Sequence, residues 1–277
     1  MKLFEEGNYI HTFSQCEQNR LLQQGKFLES YIHKTLNFSS STSVLEIGCA
    51  VGAQIDILLQ HHPHLKVTGL DNSPSQLERA RIFLKPLIDS SKVILQQGSA
   101  YDLPFGDDSF DTICIFFVLE HLENPFLAVQ EAFRVLRPGG VIYCTEVFNK
   151  GVFVFPKCHG IEAYWQAFNQ QQEVFGGDPN VGIKLGGLFS QIGFIDIHLL
   201  DVSLLLDRRM NTLEKRQEFL DFMKAAFLSA SSTLHSTGKV TALLEKQMIQ
   251  DFDRLSEDPS SIFFYPVKQL SAKKLDI

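Results

Sequence analysis

The chain reads as a doubly wound α/β protein with helical additions, and three observations predict it. Between roughly residues 43 and 147, short apolar runs of strand length alternate with helical patterns. The first run, Ser43-Val44-Leu45-Glu46-Ile47, stops at a small-residue turn, Gly48-Cys49-Ala50-Val51-Gly52, which opens into the helical spacing Ile55, Leu58, Leu59. The second run ends on an acid, Asp71, 23 positions beyond Gly48. A strand, a glycine-spaced turn and a helix N-terminus bring bare backbone N–H groups close to a ligand, and an acid ending the next strand sits where ribose hydroxyls are held. That outlines a nucleoside pocket.

In order, residues 10–38 read mostly as helix, with Leu21, Leu22, Phe27, Leu28, Tyr31 and Ile32 near helical spacing and a stop at Ser39-Ser40-Ser41. After the glycine turn a helix runs to about Gln60, and Leu65–Leu70 makes the second strand. Ser73, Pro74 and Gln76 occupy the N-cap, N1 and N3 positions of a capping box. Lys92–Gln96 is a third strand. Phe110–Val118 is so continuously apolar that it belongs in the middle of the sheet. Asn124-Pro125 caps a helix that Arg137-Pro138-Gly139-Gly140 stops, and Val141–Val147 is a fifth strand.

Phe148–Gly177 is too long for an ordinary connection and carries Phe153, Phe155, Tyr164, Trp165, Phe168 and Phe175. These rings either pack a small core of their own or wall a substrate cavity. Asp178-Pro179 opens a helix ending near Gly193, Phe194–Leu206 is a sixth strand, and Asn211–Ala230 and Gly238–Leu255 are helices. The first of these opens with Asn211 and Glu214 in capping-box positions. Ser261–Val267 is the last strand.

Composition narrows the function. At 277 residues and 44% hydrophobic content the chain buries one large core. A net charge of -7 and a pI near 5.7 argue against a nucleic-acid partner. Met1–Asn8 has two acidic residues and no apolar stretch, so neither a secretory signal nor a membrane partner is expected and the cytoplasm is the expected compartment. The five cysteines are scattered without a C-x-x-C pair, and His61-His62-Pro63-His64 has no sequence neighbour to complete a ligand set, so no metal is expected.

Several motifs in order carry a family resemblance: V-L-E-I-G-C-A-V-G, V-T-G-L-D-N-S, Q-G-S-A-Y-D-L-P-F-G-D-D-S-F-D, V-L-E-H and F-R-V-L-R-P-G-G. From about Ser43 to Val147 the chain resembles the class I S-adenosylmethionine-dependent methyltransferases, in particular the group that includes the ubiquinone and menaquinone biosynthesis C-methyltransferases. The resemblance implies a Rossmann-like, seven-stranded sheet whose last strand is antiparallel, with Ser261–Val267 in that place. It divides the chain into a helical lid segment, 1–42, and a methyltransferase domain, 43–277, with cap insertions at about 148–178 and 209–257.

Carried onto these positions, the resemblance implies that Glu46, Gly48, Cys49, Ala50 and Gly52 shape the pocket for the methionine part of the cofactor. Asp71, with Asn72 beside it, would hold the ribose hydroxyls. Ser99 and Ala100 would lie along the adenine, and Phe117 and Val118 would floor the site near the sulfonium. Two residues depart from the pattern. Ala50 stands where the family usually has Gly, a change that suits only a backbone with φ below zero. Ser99 stands where many members carry an Asp beside the adenine.

The activity so implied is methyl transfer by in-line displacement to O, N or C of a small, partly hydrophobic or aromatic molecule, in a monomer or homodimer. His121, in V-L-E-H, is the candidate base, with an orienting or capping role as its alternative. Glu146 either orients an amine or accepts a proton, or is a solvated loop carboxylate. Tyr9, Phe148 and Trp165 are candidate substrate contacts. Two other readings compete: a protein that keeps the fold and binds cofactor without turnover, and a methyltransferase acting on nucleic acid or protein.

Overall fold

The computed structural model describes residues 9–210 and 212–276. The parallel strands β1 (Ser43–Ile47), β2 (Lys66–Asp71), β3 (Val93–Gln97), β4 (Phe110–Phe116) and β5 (Leu136–Val147) all form. With β7 (Ile195–Asp201) and β10 (Val267–Lys273) they make a seven-stranded sheet in the order β3-β2-β1-β4-β5-β10-β7, in which β10 is antiparallel to both neighbours. β4 is central because successive side chains serve opposite cores. Ile113 and Ile115 face α5 (Pro125–Val135) and α7 (Leu185–Ile192), whereas Cys114 and Phe116 face α1 (Gln15–Ile32), α2 (Ala53–His61) and α3 (Pro74–Phe83). A short α4 (Lys85–Asp89) follows α3.

The leading helix is shorter than its pattern, because Ser14 caps it, accepting the Glu17 amide at 3.2 Å. Ser73 likewise caps α3, accepting the Gln76 amide at 3.4 Å. The Gln76 side chain does not return the bond, so the capping box is half made. Asp178 does not open a helix. Its Oδ1 accepts the Asn180 amide at 3.0 Å, the chain makes a 3-10 turn over Val181–Lys184, and α7 starts at Leu185 and ends at left-handed Gly193. Asn211 lies outside the described residues; Thr212 caps α8 (Leu213–Leu228), accepting the Lys215 amide at 3.3 Å.

Two expected strands each divide between sheets. Phe194–Leu206 breaks after Asp201, whose carboxylate accepts the Ser203 amide at 2.9 Å, so that β8 (Leu204–Leu206) leaves the main sheet. Ser261–Val267 breaks at Pro266, which has no N–H to donate to a ladder. The part before it is β9 (Ile262–Tyr265), which pairs antiparallel with β6 (Phe153–Phe155) and β8 in a separate three-stranded sheet. The antiparallel strand of the main sheet is therefore β10, which starts at Val267, the last residue of the expected segment, and runs six residues past it to Lys273.

The chain after β5 and the chain after β8 come together as one cap: α6 (His159–Val174) packs on α8, on a short α9 (Ser231–Ser236) and on α10 (Ala242–Glu257), beside the small sheet. The Trp165 ring stacks at 4.3 Å on Phe227 and 4.7 Å on Phe168, and Phe227, Phe252 and Phe263 close the cluster. Each fully buried ring contributes on the order of 2 kcal/mol of transfer free energy. Phe222 of α8 stacks on Phe27 of α1 at 4.1 Å, which ties the cap to the leading helix. Among the described residues no helix is long and apolar enough to cross a membrane, and no cluster of His, Cys, Asp and Glu could hold a metal ion.

Candidate active site

A cavity of about 200 Å³ opens over the carboxyl ends of β1, β2, β4 and β5. One end is built by the turn after β1. Gly48 has φ 75°, and a Cβ there would stand 2.4 Å from Val118 Cγ2, so the turn closes against β4 only as glycine. Ala50 also has a left-handed backbone, φ 45°, the conformation in which the departure from glycine costs most. The Ala50 amide donates to Asp71 Oδ2 at 2.8 Å and the Ser73 amide to Oδ1 at 2.9 Å. Burial raises the Asp71 pKa, and these amides pull it back. A carboxylate has about four lone-pair sites, so each oxygen keeps capacity toward the cavity. Asn72, Gly98, Ser99, Ala100, Tyr101 and Leu122 continue this wall, and Phe117 and Val118 floor it. Phe117 takes φ 57° and donates its amide to Thr145 O at 2.9 Å.

Not every expected residue reaches this wall. Glu46, Cys49 and Gly52 stand behind it. Glu46 is buried beneath the turn, where loss of solvent and the charge of Asp71 push its carboxyl well above the usual range. A Cβ on Gly52 would meet Leu84 at 2.4 Å, on the core side.

The other end is aromatic and lies under α1, α6 and α8. Tyr9, His11, Phe13, Trp165, Phe168, Phe222 and Tyr265 line it, with Arg20 and Gln24 from α1. The His121 ring meets Tyr9 at 4.9 Å and His11 at 5.5 Å, both edge to face, and its Nε2 lies 3.8 Å from Glu120 Oε1. Burial lowers the His121 pKa, the Glu120 charge acting against it, and burial holds His11 well below the usual range. Two neutral imidazoles therefore face the cavity. Arg20 reaches it as one half of a buried ion pair, its Nε and Nη2 donating to Glu17 at 2.7 and 2.6 Å.

Glu146 and Phe148 stay out of the cavity. Glu146 is fully buried, and its carboxylate accepts the amides of Val118, Leu119 and Glu120 at 2.9, 2.7 and 3.3 Å. It is neither a base facing substrate nor a solvated loop residue; it shapes the turn that carries His121. Phe148 packs around Gly151. Of the six aromatics between 153 and 175, Trp165 and Phe168 line the cavity, Tyr164 joins the cap core, and Phe153 and Phe155 face outward. Motif spacing did not mark His11, Gln24, Asn149, Phe222 or Tyr265. On α8, Phe219, Met223 and Phe227 form the buried face, and Phe222, beside it, lines the cavity.

The cavity fits the S-adenosylmethionine that the motifs imply. Gln76, 2% exposed, is among the residues of the same wall, and its buried Oε1 has no partner among the described residues, an orphaned acceptor that a hydroxyl-bearing nucleoside would satisfy.

Comparison with known proteins agrees. Residues 45–144 match a family described as a methyltransferase domain. A demethylmenaquinone methyltransferase of Staphylococcus aureus is 30% identical over 140 residues, covering 50% of this chain and 57% of that protein. The chain thus spans 57% of the length of the curated relatives it matches. Among solved structures, phosphoethanolamine N-methyltransferase 2 of Haemonchus contortus, bound to phosphomonomethylethanolamine and S-adenosylhomocysteine, superposes with a TM-score of 0.60 at 14% identity, over 99% of this chain and 61% of that one. The cyclase SpnF superposes with a TM-score of 0.54 at 17% identity, over 92% of this chain and 80% of that one. At these identities the solved structures share the fold.

Proposed function

We propose that the protein transfers the methyl of S-adenosylmethionine to O, N or C of a small, partly hydrophobic or aromatic molecule, in keeping with the match of residues 45–144 to a methyltransferase domain. The observation that carries this reading is one continuous cavity with a nucleoside-shaped polar end at Asp71 and an aromatic end at Trp165. When bound, the cofactor supplies an electrophilic methyl on a sulfonium. Asp71 takes the ribose hydroxyls, Ser99 and Ala100 flank the adenine, and Phe117 and Val118 set the floor between the two ends. Tyr9, Trp165 and Phe168 hold the acceptor in line, and alignment supplies much of the acceleration. His121, neutral and bounded by Tyr9 and His11, takes the proton of an O–H or N–H acceptor. The cover of α1, α6 and α8 suits a small molecule better than a macromolecule, and the acidic composition disfavours nucleic acid.

The left-handed backbone of Ala50 favours one rival, a protein of this fold that binds without turnover. Calorimetry with S-adenosylmethionine, followed by a screen of metabolite extracts with methyl-labelled cofactor, separates them. Binding plus a labelled product identified by mass, with Asp71→Ala losing the signal, supports transfer. Binding without product supports the rival, and no binding ends both.

A further inference from the structure

The acceptor end holds a hydrogen-bond acceptor that the protein leaves unused. Asn149, directly beyond β5, is 2% exposed and lies on the cavity wall with Trp165 and Phe168. Its backbone is fixed at both ends: its amide donates to Pro179 O at 2.9 Å, and its carbonyl accepts Trp165 Nε1 at 3.2 Å. Its side chain is fixed on one side, Nδ2 donating to Asn169 Oδ1 at 2.8 Å. The remaining atom, Oδ1, is buried and has no partner among the described residues. A fold that pins three of the four polar groups of one residue and leaves the fourth dry forfeits stability there, unless something else enters the cavity to donate to it.

We propose that Asn149 is a specificity-determining residue whose Oδ1 accepts a hydrogen bond from an O–H or N–H on the methyl acceptor. This rests on the reading of the cavity as a methyl-transfer site. Molecules that present a donor hydrogen toward the end of β5 are selected over analogues in which that hydrogen is capped. The aromatic faces of Trp165 and Phe168 do not distinguish the two, because capping changes polarity and not ring area. An apolar wall discriminates weakly, whereas a buried polar group left unpaired discriminates strongly.

Trp165 is the only tryptophan of the chain and is bonded to Asn149, so its fluorescence reports occupancy. The full chain, saturated with S-adenosylhomocysteine, is titrated with para-propylphenol and its methyl ether, and with para-propylaniline and its N,N-dimethyl derivative. At least one donor probe binds about ten-fold more tightly than its capped partner. In Asn149→Leu that preference collapses while the capped probe keeps its affinity. Asn149→Asp, which keeps an oxygen in place, retains the preference and decides the matter if the leucine variant does not fold. The phenol and aniline arms report whether the donor is O–H or N–H. A wild type indifferent to capping in both pairs, a preference that survives in Asn149→Leu, loss of every probe together in that variant, or loss of the preference in Asn149→Asp overturns the assignment. Calorimetric binding of S-adenosylhomocysteine in the same samples tests the methyltransferase reading separately.

Discussion

Asp71 Oδ2 accepts the amide hydrogen of Ala50 at 2.8 Å, so the acid that ends β2 holds the turn that leaves β1. The same carboxylate caps Ser73 through Oδ1 and so positions the start of α3. One side chain thus builds the wall and also offers lone pairs to a ligand. Asp71→Asn must present an NH2 group to one of two backbone donors, which leaves a buried amide unpaired. We expect a loss of about 1–3 kcal/mol in stability and a fall of at least about ten-fold in S-adenosylmethionine affinity by calorimetry. Unchanged affinity would remove Asp71 from the ribose site.

Ala50 keeps its left-handed φ of 45° because the Asp71 bond and the closure of Gly48 on Val118 leave the turn no alternative. That conformation costs an L-residue roughly 1–2 kcal/mol, and glycine returns part of it to the unfolded chain as entropy. Ala50→Gly is therefore expected to stabilise the protein by about 0.5–1 kcal/mol in urea unfolding. A loss of stability would mean that the Ala50 methyl makes packing contacts worth more than the strain.

The division between what was legible in the chain and what was not follows the range of the forces involved. The βα units are written locally: Ser73 and Asn124 cap, Ile113 and Cys114 alternate between cores, and Gly48 and Asp71 sit at motif spacing. The sheet to which Leu204–Leu206 or Ile262–Tyr265 belongs is not local. It depends on the pairing of Leu204 with Tyr265 and of Val154 with Phe263, partners far away in sequence. That Gly48, Asp71 and Ser99 would meet at one end of a cavity was legible for the same reason, since they lie in contiguous motifs. The other end gathers His11, Asn149, Phe222 and Tyr265 from four separate segments, and only the fold brings them together. Glu146 was misjudged because a carboxylate at a strand end looks the same in sequence whether it faces solvent or three buried amides.

Glu146 gives a test of that last point. Its carboxylate serves the amides of Val118, Leu119 and Glu120, and burial, together with the Glu120 charge, pushes its pKa well above the usual range. An amide oxygen still serves the two shorter bonds. Glu146→Gln should fold and turn over at a rate within a few-fold of wild type, whereas Glu146→Ala should lose on the order of 3 kcal/mol or more and most of its activity. If the glutamine variant folds but is inactive, Glu146 takes a direct part in the chemistry.

Glu17 and Arg20 form a pair with side chains 3% and 13% exposed. Burial raises the Glu17 pKa, and only the Arg20 guanidinium opposes it. Arg20→Met leaves a buried carboxylate alone and should cost about 3–5 kcal/mol, while replacing both residues by Met should recover most of that. The single variant's deficit should shrink at acid pH, because the folded state then holds Glu17 protonated. A double variant as unstable as the single one would show that the loss comes from packing and not from charge.

The acid limb of activity tests His121. An imidazole accepts a proton only in its neutral form, and burial lowers the His121 pKa from its ordinary value of 6.5, with the Glu120 charge raising it and Arg20 lowering it. The folded protein therefore keeps His121 neutral to lower pH than a free histidine would, and if His121 is the base the acid limb of kcat/KM should have its midpoint below 6.5. Glu120→Gln removes the charge that favours the protonated ring, so the midpoint should move lower still. His121→Gln should reduce kcat by about a hundred-fold or more and flatten the limb. A midpoint at or above the ordinary value, or a limb unchanged in the glutamine variant at position 121, would assign the proton to another group, and His11, which shares the cavity at 5.5 Å, would be the next residue to replace.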